Sequence, residues 1–100
     1  MRLRYAKRGR MRFASHRDIA RALERALRRA EVPVAFSAGF TPHPRISYTG
    51  AAPTGVASEA EYAEITLAEP CDPGQVRVRL DNAMPEGIDV IEAVEATADS

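Results

Sequence analysis

The stretch SHRDIARALERALRRA, residues 15–30, decides how the rest of the chain is read. Ser15 followed by Asp18 fits a capping box, in which the hydroxyl caps the first turn of a helix and the acid reaches back. Ile19, Leu23, Ala26, Leu27 and Ala30 recur at helical spacing and form one apolar stripe. Arg17, Arg21, Arg25, Arg28 and Arg29 stand off that stripe. The helix is predicted to end near Glu31, because Pro33 disfavours helical geometry at Val32.

Working outward, Leu3 and Tyr5 alternate with Arg2 and Arg4, which predicts a strand with the arginines facing out. Lys7 to Arg10 reads as a turn. Arg10 to Phe13 alternates again, which predicts a hairpin or one strand kinked at Gly9. Beyond the helix, Pro33 to Phe36 is short and extended, Ser37 to Arg45 is a loop, and Ile46 and Tyr48 point one way from a second strand. Gly50 to Ser58 is a connection. In a third strand, Glu61 to Leu67, residues Ala63, Ile65 and Leu67 face inward and Tyr62, Glu64 and Thr66 outward. Asp72-Pro73 caps a second helix carrying Val76, Leu80 and Met84 on one face. Pro85 to Gly87 ends it. Ile88, Val90 and Val94 supply a last strand whose pattern Ile91 interrupts. The order predicts an α+β fold, a ferredoxin-like βαββαβ sandwich. One four-stranded, mostly antiparallel sheet would carry two helices on one face. Residues 1–96 form the expected single domain, with 97–100 a frayed tail.

The chain has 100 residues and 10.9 kDa, enough for one core and not two. No run of 18 apolar residues occurs, which argues against a membrane-spanning helix. The basic start lacks the apolar segment of a secretory signal. Cys71 is the single cysteine, so no internal disulfide, cysteine-rich zinc site or iron–sulfur cluster is expected within one chain. The expected setting is cytoplasmic, and no cofactor or metal is expected.

The net charge of zero conceals an asymmetry. Residues 1–50 hold twelve basic residues against three acids, about +9, and residues 51–100 hold two against eleven, about −9. Either the halves neutralise one another in the fold, or the basic half presents an anion-binding face. Arg17, Arg21, Arg25, Arg28 and Arg29 give the first helix a cationic stripe. Like charges at that spacing cost roughly 0.2–0.5 kcal/mol per pair unless an anion lies against them. Glu24 can pair with Arg28. Lys7, Arg8, Arg10 and Arg12 would extend the same track.

The loop Gly39-Phe40-Thr41-Pro42-His43-Pro44-Arg45 is the second candidate site. Two prolines restrict the backbone on either side of His43. Phe40 could stack on a base and Arg45 could hold a phosphate. A rigid loop that folds Phe40 into the core is the structural alternative. Ser15, His16 and Asp18 cannot form a triad from one helix end, and the capping role accounts for Ser15 and Asp18. No phosphate-binding glycine loop and no nucleophile elbow is present.

Three blocks carry a family resemblance. They are Lys7-x-Gly9-x-x-Arg12-Phe13-x-Ser15-His16-x-Asp18 with Arg25-Ala26-x-Arg28-Arg29-Ala30, then Phe36-Ser37-x-Gly39-Phe40-x-Pro42-His43-Pro44-Arg45-Ile46-Ser47, then Gly55-Val56-x-Ser58-Glu59-x-Glu61-Tyr62. With these the chain resembles, over residues 3–95, a radical-SAM-associated bacterial domain of unknown function. Its members are typically longer, so the chain looks like an N-terminal portion. The resemblance implies a radical-SAM partner. It also implies, by association with genes for an E/G-type RNase and ribosomal proteins, a place in RNA or tRNA metabolism. It supplies no catalytic residues. Arg17 stands where that family usually has an apolar residue, and Thr41 where it often has Asn.

The resulting expectation is a non-catalytic RNA-binding or substrate-presenting module acting with a radical-SAM partner. A docking scaffold for that partner is the alternative, using the acidic strand (Glu59, Glu61, Glu64) or the basic helix. General acid–base chemistry by His43 would require a polar pocket around the loop.

Overall fold

The computed structural model describes residues 1–49 and 58–95. The strands are β1 (Arg2–Lys7), β2 (Ile46–Thr49), β3 (Ser58–Ile65) and β4 (Ile88–Val94), and the helices are α1 (His16–Arg29) and α2 (Pro73–Ala83). The sheet has the order β2-β3-β1-β4 and every neighbouring pair is antiparallel. This is an α+β fold with an open four-stranded sheet, compatible with the ferredoxin-like order. The connection at 50–57 and the tail beyond residue 95 lie outside the described residues.

The core follows the pleat. Leu3 and Tyr5 of β1 pair with Ala63 and Glu61 of β3, and Ile65 pairs with Ile46 of β2. Ile19, Leu23, Ala26 and Leu27 of α1 and Val76 and Leu80 of α2 pack into the same buried cluster with the inward residues of the sheet. Both helices therefore cover one face. The other face carries Arg2, Arg4, Tyr62, Glu64 and Glu92.

Local chemistry sets the helix ends as expected. The Ser15 hydroxyl accepts from the Asp18 N–H at 3.1 Å and the Asp18 carboxylate accepts from the Ser15 N–H at 3.4 Å. Asp72 accepts from the Gln75 N–H at 3.0 Å, with Pro73 in the first turn of α2. At the end of α1, the Val32 N–H donates to the Leu27 carbonyl and the Glu31 N–H to the Arg28 carbonyl. This is a Schellman closure with Glu31 in the left-handed region at φ 58°.

Four expectations change. Arg10 to Phe13 is not a strand: Gly9–Phe13 is a 3-10 helix. Gly9 enters it at φ 56°, where a β-strand cannot continue. The turn before β4 locks onto this helix, since the Arg8 N–H donates to the Gly87 carbonyl at 2.7 Å. A Cβ on Gly87 would lie 2.6 Å from Met11 Cγ, so only glycine fits there. The third strand ends at Ile65, and Leu67 lies beyond it in an isolated bridge with Val34. Val94 does not face the core. Tyr5 pairs with Val90 but Arg4 pairs with Glu92, so Ile91 is an extra, bulged residue. Past it the inward position passes to Ala93, opposite Leu3, and Val94 sits opposite Arg2.

The fourth change concerns Lys7 and Glu61. Both are buried, at 4% and 1% exposure, and their charged groups are 3.8 Å apart. The period-two alternation accounts for it: Lys7 shares a face with Leu3 and Tyr5, and Glu61 with Ala63 and Ile65. The outer edge of β4 is covered by α2. The Val90 N–H donates to Asp81 Oδ1 at 3.0 Å, and the Arg77 guanidinium donates to the Val90 carbonyl at 3.5 Å. These side chains occupy backbone groups that would otherwise template another strand.

Two stability predictions follow from these features. Glu61→Ala leaves the Lys7 ammonium buried without its partner and is expected to cost about 3–5 kcal/mol in urea unfolding. In a Lys7→Met background, Glu61→Leu is expected to cost far less, giving a coupling energy above about 1 kcal/mol in a double-mutant cycle. Glu31→Gly is expected to raise the unfolding free energy by about 0.5–1 kcal/mol, because glycine adopts the left-handed closure without a Cβ clash. A lowered midpoint would contradict that reading of the α1 terminus.

Candidate nucleic-acid interface

At roughly 100° per residue, the five arginines of α1 occupy an arc of about 120° opposite the buried Ile19, Leu23, Ala26 and Leu27. Arg17, Arg21, Arg25, Arg28 and Arg29 are all exposed. From Arg17 to Arg28 the stripe runs about 16 Å along the helix. Among the described residues no ion pair reaches any of the five, and the Glu24–Arg28 pair does not form.

Four acids of the second half pair with residues 2–8 instead. Arg2 pairs with Glu64 at 3.1 Å, Arg4 with Glu92 at 3.9 Å, Lys7 with Glu61 at 3.8 Å and Arg8 with Asp89 at 2.9 Å. The halves do neutralise one another, but across the sheet and its β1 end, not along α1. This pattern divides the expected track. Lys7 is inside the molecule and does not belong to it. Arg8 is bound to Asp89. Arg10 and Arg12 are exposed on the 3-10 helix. Glu61, expected on an acidic docking strand, is buried, and Glu64 faces Arg2. Nothing is described for the side chain of Glu59.

One basic residue was not singled out by the helical spacing of α1. Arg79 on α2 is exposed and, with Arg29, lines a shallow groove of about 390 Å³ between the end of α1 and the second helix. Only the packing of the two helices puts Arg29 and Arg79 on one groove, which Glu31 also lines. The signal in the sequence was slight: Arg79 falls off the Val76/Leu80 face.

The loop is closed by its own backbone. Phe36 and Pro44 form an isolated bridge, the Ser37 N–H donates to the His43 carbonyl at 2.8 Å, and the His43 N–H donates to Ser37 Oγ at 3.1 Å. Gly39 turns the tip at φ 128°. Phe40 does not fold into the core; it is fully exposed, and Phe36 is largely so. His43 is exposed and borders none of the described grooves. Arg45 lines a separate open groove of about 810 Å³ with Arg2, Glu64 and Cys71. The structure thus keeps Gly39, Phe40 and His43 on a projecting tip and sets Arg45 at its base. Phe13 is exposed as well, so none of the three phenylalanines of the chain is in the core. Each forgoes burial worth about 1.5–3 kcal/mol.

Among the described residues no group of three or more His, Cys, Asp or Glu side chains could hold a metal ion, and no helix is long and apolar enough to cross a membrane. His16 packs its ring edge-on against Tyr48, with centroids 4.7 Å apart, which seats the first turn of α1 on β2. Burial, helped by the charges of Glu24 and Tyr5, raises the Tyr48 pKa. Burial and then the Glu61 carboxylate push the Tyr5 phenol up to about 12.

These features define a small α+β domain with a basic helical face that no ion pair neutralises among the described residues, and an exposed aromatic loop. The chain belongs to the bacterial family described as "Uncharacterized protein conserved in bacteria (DUF2344)", whose model matches residues 1–100. Comparison with curated proteins and with solved structures returned no match.

The raised phenols make the stability of the fold fall at alkaline pH. A tyrosine ionises near 10 in the unfolded chain, whereas Tyr5 holds its proton to about 12 when folded. Its contribution is therefore complete below about pH 10 and is lost as pH rises through about 12. Urea midpoints are expected to fall across that window, and Tyr5→Phe is expected to flatten the decline. An unchanged slope would remove Tyr5 as its cause.

Proposed function

We propose that this domain is a non-catalytic RNA-binding or substrate-presenting module, with tRNA-like or single-stranded RNA as the ligand and a radical-SAM protein as the partner. The observation that carries the reading is the state of α1. Five guanidiniums stand exposed on one face with no ion pair to any of them among the described residues, while Glu61, Glu64, Asp89 and Glu92 lie against residues 2–8. A phosphate backbone fits such a face because guanidinium meets phosphate with paired, charge-assisted hydrogen bonds. Arg10 and Arg12 extend the face beyond the start of α1, and Arg29 with Arg79 extends it onto α2. Phe40, His43 and Arg45 would meet a nucleotide or the mouth of the partner's active site. The partner itself rests on the family resemblance of the sequence blocks.

The docking-scaffold reading keeps one specific observation, the exposed rings of Phe40 at the loop tip and Phe36 at its base, which suit a protein surface as well as a base. Its acidic-strand version is weakened by the burial of Glu61 and the engagement of Glu64. Co-purification with the radical-SAM protein after RNase treatment, without RNA affinity of the domain alone, would favour it.

The test is a fluorescence anisotropy titration with tRNA and with a short single-stranded RNA at increasing salt. Five phosphate contacts predict a log–log slope of about −3.5 on a single strand, or about a hundredfold loss of affinity between 50 and 200 mM salt. Arg21→Glu combined with Arg25→Glu is expected to remove most binding, and Arg79→Glu to weaken it. Binding that ignores salt, or none at the lowest salt, would sink the proposal.

A further inference from the structure

We propose that Arg12 and Phe13 form a stacking platform for one unstacked base, which gives single-stranded nucleic acid on the basic face of α1 a contact that a duplex lacks. The inference rests on the reading of α1 as a phosphate track and adds the class of strand it accepts.

The Arg12 guanidinium carbon lies 4.8 Å from the centre of the Phe13 ring, and Phe13 is 60% exposed. The pair sits at the end of the 3-10 helix Gly9–Phe13, just before the Ser15 cap of α1. That helix is anchored by Met11, which is partly buried and packs against the core and against Gly87. With about three residues per turn, anchoring Met11 sends Phe13 to a different side of the helix. The ring is therefore held outward by the fold. Its neighbour Arg12 covers one face through a cation–π contact, which orients both planes.

Two flat surfaces are then presented to solvent, the free face of the ring and the outer face of the guanidinium. Nucleobases stack on both kinds of surface. Arg17, the first member of the stripe, follows four residues after Phe13, across the extended residues Ala14 and Ser15. A strand with one base held at Phe13 would run on to the stripe, which begins four residues later in the chain. A duplex keeps its bases stacked on one another and offers none to the platform, though its phosphates still suit the stripe. Phe13 contributes nothing to the core, so its removal is not expected to unfold the domain.

The experiment compares a short mixed-sequence single-stranded RNA, carrying one fluorescent purine analogue, with the same strand annealed to its complement. Wild type is expected to quench the analogue on binding. Phe13→Ala is expected to weaken single-strand binding about tenfold and abolish the quench, with duplex affinity unchanged. Phe13→Trp is expected to restore both single-strand readouts. Thermal melts establish that the variants keep the fold. Equal losses on both RNAs, or no change with Phe13→Ala while the Arg21→Glu, Arg25→Glu variant still loses binding, would overturn the platform and leave the phosphate track standing. Failure of wild type to bind either RNA overturns the track and the platform together.

Discussion

Carboxylates of β3 and β4 lie against the cations of residues 2–8, and the electrostatic character of the whole molecule depends on that pairing. Antiparallel order puts β1 between β3 and β4, so the most basic strand is flanked by two acidic ones. Three of these contacts are solvent-exposed and contribute little stability individually. Their consequence is one of supply. Acids engaged across the sheet are not available to the helix that crosses its other face. A net charge of zero for the chain thus coexists with a helix whose outer arc has no neutralising partner among the described residues.

The Lys7–Glu61 pair differs in kind, because it is shielded from water and marks where the pairing of β1 with β3 slips. The register shifts between Tyr5 and Lys7, opposite Glu61 and Ser58. A charge pair that must stay together inside the protein disfavours alternative registers, since a slip would leave both groups uncompensated. The bulge at Ile91 works on the other side of β1 and turns Val94 outward. Two irregularities therefore flank the same central strand, and each one decides which side chains reach solvent.

Much of the fold was legible in the residues. The capping box of α1, the Asp72 cap of α2, the apolar stripe of α1 and the alternation of β3 each depend on neighbours a few positions apart. The burial of Lys7 and Glu61 was not anticipated, although simple alternation places them inward with Tyr5 and Ala63. Charge suggested exposure, and the opposite charge on a distant strand made burial tolerable. The 3-10 helix was not legible, because Arg10 to Phe13 alternates as a strand would; docking of Met11 beside Gly87 selects the tighter turn. The outward position of Phe40 was not legible either, since a loop of this composition could equally have folded its ring inward.

The amino-acid sequence by itself determined the elements, their order and the basic face of α1, because these follow from local spacing, capping and the pleat. Tertiary structure alone decided which charges are spent and which remain. Ion pairing requires contact between residues some fifty to ninety positions apart, and only strand order and register specify that contact. The same holds for Arg79, which joins Arg29 through the packing of two helices and not through any spacing along the chain.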